Sequence, residues 1–326
     1  AEGTLVAMRD PLGIRPLCYA VSPDFIGAAS ESVALNNFVS NGIKDIQPGE
    51  MLIVENGKEK IERFAESKKT AHCMFEYVYF ANASSVLDGR SVYQTRWNLG
   101  VELAKQETLK VNPEEYIVVP VPDTAKPAAD AYAHTLGLPV MEGLIRNRYV
   151  GRTFIEGSDR KERIKEKFNL NKSVLKDKKV ILVDDSIVRG STSNAIVEYL
   201  LKNGQAKEIH MRVSCPPIRS PCFYGIDMST IGELIANRHS TKKDLAKEGF
   251  EDVSKEVIDK IAKEIGVKSL YYMTIAGLVK SIGLPKGKDE LCLACLTGEY
   301  PTKHGQELRV KALDRFNRGL EATRVE

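Results

Sequence analysis

The sequence predicts an α/β fold, a parallel sheet flanked by helices, preceded by a smaller antiparallel sheet. Three observations lead there. Val180-Ile181-Leu182-Val183 is an aliphatic run bounded by charge on both sides, the pattern of a strand buried on both faces in a parallel sheet. Residues 194–201 then place apolar side chains at helical spacing, so the segment between them joins a strand's carboxyl end to a helix's amino end. At the front, short β-like segments at 4–8, 17–21 and 51–54 are separated by turn signals at Pro11, Gly13, Pro23, Pro48-Gly49 and Asn56-Gly57, as in an antiparallel sheet.

The other elements follow in order. A charged, polar run at 66–70 marks a linker, and residues 73–81 read as an aromatic-rich extended segment. Apolar spacing predicts a helix over 91–110, and a strand at 116–121 runs into Pro122-Asp123-Thr124-Ala125-Lys126-Pro127, a second strand end leading to a helix. Residues 146–154 are basic around Gly151, and 156–167 are charged. The run reads either as a solvated surface loop or as a lid. A further strand is predicted at 209–213 and helices at 241–247, 254–265 and 274–282, with a weak basic helix over 311–324.

Composition excludes several classes. A chain of 326 residues with 43% hydrophobic and 28% charged content is that of a globular protein long enough for two domains. A net charge of +3 gives no case for nucleic acid, and no apolar run approaches the roughly 20 residues of a membrane helix. The start lacks a basic-then-apolar signal segment, so a cytoplasmic enzyme is expected. The six cysteines include Cys292-x-x-Cys295. Such a pair allows zinc, an iron–sulfur cluster or a redox couple.

The loop after the central strand reads Asp184-Asp185-Ser186-Ile187-Val188-Arg189-Gly190-Ser191-Thr192-Ser193. Backbone N–H groups at a helix amino end, with hydroxyls beside them, suit a phosphate dianion. The two carboxylates just ahead cannot bind phosphate. They fit the hydroxyls of an attached sugar, or a magnesium ion, since carboxylates accept hydrogen bonds and hard cations take oxygen ligands. The stretch reads as a cradle for ribose 5-phosphate, unless it is an ordinary acidic turn. Neither a Walker loop nor a Gly-x-Gly-x-x-Gly fingerprint occurs.

Val183 to Thr192 resembles the phosphoribosyl-pyrophosphate motif of type I phosphoribosyltransferases, and its wording is similar to that of the glutamine phosphoribosylpyrophosphate amidotransferase family. Arg9 to Leu17, Phe75 to Ala81, Asn147 to Phe154 and Tyr224 to Asp227 are similar to the same family, in its order. The resemblance implies that 1–66 is the latter part of an antiparallel Ntn-hydrolase glutaminase domain, about 150 residues of which would precede it. It implies that 71–326 is a type I phosphoribosyltransferase domain with an iron–sulfur-binding carboxyl-terminal segment. The family's glutaminase uses an amino-terminal cysteine as nucleophile. Residue 1 is alanine and Cys18 reads as a core residue, so no glutaminase site is assigned and ammonia is the expected donor.

For the transferase site, the resemblance assigns Asp123 and Thr124 to a pyrophosphate loop, with a plain turn as the alternative, and Ser186, Ile187, Val188, Arg189, Gly190, Ser191 and Thr192 to the sugar phosphate. Asp184 and Asp185 would hold the ribose, with Thr124 joining them around Mg2+, and Arg148 and Arg152 would close over pyrophosphate as a catalytic lid. Cys73, Cys222, Cys292 and Cys295 match the family's ligands to a structural [4Fe–4S] cluster, with Cys215 as the competitor for Cys222. The implied reaction forms 5-phosphoribosylamine from phosphoribosyl pyrophosphate and ammonia, the first committed step of purine synthesis. Purine nucleotides would act as feedback inhibitors and the chain would form a homo-oligomer, dimer or tetramer. Two rivals stand beside it: a base-salvage phosphoribosyltransferase, and a phosphoribosyl-pyrophosphate-sensing regulator.

Overall fold

The computed structural model describes residues 3–147, 149, 160–228 and 230–320. It divides into two compact units, Ala1–Arg96 with Val279–Leu293, and Trp97–Leu278 with Ala294–Glu326.

In the first unit, β1 (Leu5–Met8), β5 (Glu50–Glu55) and β6 (Lys58–Arg63) form an antiparallel sheet in the order β1-β5-β6. A second antiparallel sheet has β2 (Cys18–Ser22) between β3 (Phe25–Ala29) and β4 (Lys44–Asp45). The expected strands at 4–8, 17–21 and 51–54 are present within a residue or so. The sequence reading missed β6, because Lys58-Glu59-Lys60-Ile61-Glu62-Arg63 carries almost no apolar signal. Its strand is made by the turn: Asn56 and Gly57 sit at φ 49° and 73°, the left-handed pair that a two-residue hairpin requires. Cys18 is buried and donates to the Ala29 carbonyl, as a core cysteine does.

Arg9 holds this unit's loops. It is 2% exposed, and its guanidinium bonds Asp88 at 2.6 and 2.8 Å and the carbonyls of Gly13, Arg15 and Ile46. That spends the fixed fork of donors on three separate segments. Past β7 (His72–Cys73), the expected extended segment is instead helical over 74–80. Two contacts favour the coil: Arg96 donates to the carbonyls of Tyr77 and Ala81, and Phe75 packs on Tyr79 and Phe80. A hairpin of β8 (Val86–Leu87) and β9 (Arg90–Ser91) leads into α1 (Val92–Lys105).

The second unit is the α/β layer. β10 (Tyr116–Pro120), β13 (Lys179–Asp184), β14 (Glu208–Val213) and β15 (Ser269–Tyr272) form a fully parallel sheet in the order β10-β13-β14-β15. Val180, Ile181, Leu182 and Val183 are all 0% exposed. Both faces of β13 are therefore covered, and each such side chain contributes about 1.5–3 kcal/mol. Between β10 and β13 run α2 (Lys126–Leu136), the antiparallel pair β11 (Leu144–Arg146) and β12 (Phe168–Leu170), α3 (Arg160–Lys167) and α4 (Lys172–Leu175). After β13 come α5 (Ser191–Lys202), α6 (Ile235–Arg238), α7 (Lys242–Ala246) and α8 (Lys255–Ile265). The last two are capped by Thr241 and Ser254, whose side chains accept N–H bonds. β15 was not foreseen; it is four residues long and alternates its burial, too short a pattern to stand out.

The sheet's far side encloses a polar knot. Arg212 on β14 is fully buried and pairs with Glu107 at 2.5 and 3.1 Å, and Tyr132 on α2 donates to the same carboxylate. Burial opposes ionisation of Glu107, but the hydrogen bond and charge of Arg212 outweigh it and lower the pKa. The pair's contribution is thus complete above the unfolded carboxyl value and is lost as pH falls through the lower folded one. Arg212→Met should cost about 3–5 kcal/mol, because it strands a buried carboxylate. In urea melts the cost should shrink as pH is lowered through and below the ordinary carboxylate range; a pH-independent loss would assign it to packing.

Candidate functional site

The site is assembled where β10 and β13 end. The two strands pair in parallel from Tyr116↔Lys179 to Pro120↔Val183, and the Val121 N–H reaches the Val183 carbonyl at 2.8 Å. Both chains leave the sheet at the same level. Ligands bind at such carboxyl ends in α/β sheets. The two loops are then joined by a side-chain bond, as the Thr124 hydroxyl donates to Asp185 Oδ2.

Asp184 and Asp185 close β13 and are 8% and 5% exposed. Asp184 Oδ1 accepts the Asp185 N–H at 2.9 Å, and Ser186 Oγ donates to Asp185 Oδ1 at 2.6 Å. Burial first, and the Asp185 charge second, push the Asp184 carboxyl well above the usual range. Two adjacent buried carboxylates with a threonine hydroxyl beside them form an oxygen donor set of the kind hard divalent cations take, and a cation there would relieve the repulsion. Thr124, Asp184 and Asp185 therefore fit Mg2+.

The expected helix start at 194 falls at Ser191, because Gly190 ends the loop in a left-handed turn at φ 77°. Ser191, Thr192 and Ser193 thus form the first turn of α5, where backbone N–H groups have no carbonyl partner within the helix. Ser191 is half-buried, Thr192 exposed and Ser193 buried. Not every predicted residue presents a side chain: Ile187 is 3% exposed and packs in the core, so it offers backbone only. Val188 is half-buried, and Arg189 pairs with Glu233 at 3.2 Å on an open surface. In the other loop Asp123 is exposed and meets Arg146 at 3.2 Å and Lys126 at 3.8 Å. Sequence reading passed over these two cations, although both stand in or beside strand-end segments. Arg148 and Arg152 lie outside the described residues.

The four cysteines fall into two pairs, one in each unit, and among the described residues no group of three or more His, Cys, Asp or Glu side chains is arranged to hold a metal. Cys73 and Cys292 face each other in register on paired parallel strands of the first unit. Burial, with Cys292 alongside, pushes the Cys73 thiol up to about 12. Cys222 and Cys295, in the second unit, both lie near Tyr300. Each pair has the donor chemistry of a thiolate-bound metal, while Cys215 is fully buried on its own segment.

Comparison with known proteins follows the same lines. The model of the phosphoribosyl transferase domain family matches residues 98–259. An amidophosphoribosyltransferase of Methanothermobacter thermautotrophicus is 44% identical over 300 residues, 91% of this chain and 58% of that one. The chain carries a phosphoribosyl transferase domain and is similar to amidophosphoribosyltransferases over nine-tenths of its length. The Bacillus subtilis member is 39% identical over 94% of this chain and 60% of its own. A solved structure of the B. subtilis glutamine phosphoribosylpyrophosphate amidotransferase, complexed with ADP and GMP, superposes with a TM-score of 0.78 at 38% identity, covering 93% of this chain and 63% of that one. The chain thus spans about three-fifths of the length of these relatives. The type I phosphoribosyltransferase fold is confirmed by both kinds of match; the glutaminase assignment of the first unit is not directly tested by them.

Gly190 takes the left-handed turn that ends the loop, at φ 77°. A Cβ there would sit 2.2 Å from Ile235 Cδ1. Gly190→Ala should lower stability by about 1–2 kcal/mol, part from the left-handed φ and part from the clash. Adding Ile235→Val removes the clashing methyl and should return only the second part, which thermal melts of the single and double variants will separate.

Proposed function

We propose that the chain carries out a phosphoribosyl-transfer reaction, in which ammonia displaces pyrophosphate from the anomeric carbon of phosphoribosyl pyrophosphate and gives 5-phosphoribosylamine. The nitrogen lone pair forms the new C–N bond, the C–O bond to pyrophosphate breaks, and the ammonium formed loses a proton. In this reading the step opens purine synthesis. The observation that carries it is the pair of strand-end loops held level and bridged by Thr124 and Asp185. One loop ends in a helix amino terminus suited to the 5′-phosphate. The other begins beside two cations, Lys126 and Arg146.

The transition state of such a displacement places positive charge on the sugar and negative charge on the departing group. Asp184 and Asp185 would accept hydrogen bonds from the ribose hydroxyls and favour the developing sugar cation, while the amides of 190–192 fix the far end of the substrate. Mg2+ held by Thr124, Asp184 and Asp185 would supply charge neutralisation for pyrophosphate. Arg148 and Arg152 keep their assignment to the same group. No general base is required for free ammonia.

Purine nucleotides are proposed as feedback ligands, supported by the ADP and GMP complexed with the B. subtilis enzyme. A homo-oligomer, dimer or tetramer, is part of the family resemblance. A cytoplasmic location is supported by six free thiols and no disulfide among the described residues, and no helix among these is long and apolar enough to cross a membrane. The [4Fe–4S] reading rests on the resemblance and on the two thiol pairs; its role would be structural.

Pyrophosphate release from phosphoribosyl pyrophosphate with an ammonium salt tests the activity. Asp184→Asn and Asp185→Asn should each reduce it by about a hundredfold or more with unchanged circular dichroism. Near-normal turnover in both would remove the acids from the mechanism, and substrate binding without turnover in the unmodified chain would favour the sensor. Iron and sulfide analysis of anaerobically prepared protein tests the cluster. Four of each per chain are expected for a cubane, lost in Cys222→Ser and kept in Cys215→Ser, whereas stoichiometric zinc would replace the cluster with another thiolate site.

A further inference from the structure

The segment Glu233–His239 lies outside every motif in the sequence, yet it grips the phosphate loop at successive residues. Ile235 N–H donates to the Val188 carbonyl at 2.9 Å. Arg238 Nη2 donates to the Arg189 carbonyl at 2.9 Å while its Nη1 donates to the Glu233 carbonyl at 3.0 Å. The guanidinium is in turn paired with the Glu264 carboxylate, which also takes His239 Nε2 at 2.6 Å. Glu264 ties down the other side of the loop as well, since its own carbonyl accepts the Asn194 side-chain amide at 3.1 Å from the first turn of α5. One residue of α8 is thereby linked to both flanks of Gly190. A cleft of about 430 Å³ lies among these groups, lined in part by Arg189, Gly190, Asn194, Glu233 and Arg238.

The consequence follows from peptide geometry. In a trans peptide the C=O of one residue and the N–H of the next point in opposite directions. Holding the Val188 and Arg189 carbonyls toward 233–239 therefore aims the N–H groups of Arg189 and Gly190 away from it. With the carbonyl unrestrained, the Gly190 turn is free to rotate, since glycine resists few backbone angles.

We propose that Arg238, anchored by Glu264, is a positioning residue that orients the Arg189–Gly190 peptide so that its N–H points to the substrate's 5′-phosphate. This rests on the reading of the loop as a phosphate cradle. The Arg238–Glu264 ion pair is partly exposed, at 35% and 38% of the side chains, and by itself contributes little. The effect lies in the two charge-assisted bonds from the guanidinium to backbone carbonyls. Lysine reaches one of them at most, with a single point charge in place of a fork.

The test compares the unmodified chain with Arg238→Ala, Arg238→Lys and Glu264→Gln, by calorimetric binding of phosphoribosyl pyrophosphate and by KM and kcat with ammonium as donor. Arg238→Ala should weaken binding and raise the KM for phosphoribosyl pyrophosphate about tenfold, the size of one lost charge-assisted hydrogen bond. Its kcat should stay within about twofold, since the brace does not touch the pyrophosphate loop. Arg238→Lys should recover part of the affinity, and Glu264→Gln should fall between. If the unmodified chain binds and Arg238→Ala binds equally well, the inference fails while the function stands. A matched fall in kcat and thermal stability, with KM unchanged, makes Arg238 merely structural and also overturns it. If the unmodified chain does not bind phosphoribosyl pyrophosphate, the cradle reading fails and the inference with it.

Discussion

The second unit depends on the register between β10 and β13. Their parallel pairing runs unbroken from Tyr116↔Lys179 to Pro120↔Val183 and is extended by one more bond from Val121 to Val183. A one-residue slip would turn every side chain of β13 to the opposite face. It would also move Asp185 along the strand axis by about 3.3 Å relative to Thr124, beyond reach of a hydrogen bond. The chemistry at the loop ends is thus set deep in the sheet, by aliphatic side chains that never meet a ligand.

Much of this was legible in the sequence, and the reason differs from one element to the next. β13 was plain because a strand buried on both faces has to be continuously apolar. The acid pair and small-residue loop were plain because few residue types suit a phosphate beside a sugar. β6 was hidden because a charged edge strand owes its shape to its hairpin turn and its partner, β5. The helical path over 74–80 was hidden for a similar reason. Its aromatic residues favour a strand, but Arg96, further along the chain, holds the coil by donating to its carbonyls. Arg238 and Glu264 carried no signal, since a lone arginine and a lone glutamate on short helices are what any solvated surface shows.

Buried arginines do distinct work in the two units. Arg9 is spread over carbonyls and a carboxylate from several loops, so it sets the shape of a region with little regular structure. Arg212 serves one carboxylate and lies 4.1 Å over the ring of Tyr271, fixing β14 against the chain on its outer side. Neither position tolerates lysine on geometric grounds, because a point charge cannot fill a planar fork's contacts.

The three-stranded sheet β1-β5-β6 has two unlike rims. On β6, residues alternate lysine, arginine and glutamate around Ile61, and nearly all are exposed. On β1, Leu5, Val6 and Met8 are 44%, 53% and 56% exposed. An unpaired strand edge templates another chain unless charge or a cover discourages it, so the two rims differ in what they need: the apolar rim at β1 calls for a cover, while β6 carries its own guard in its charges. That guard depends on the solvent, since at about 1 M salt the screening length shrinks to roughly 3 Å.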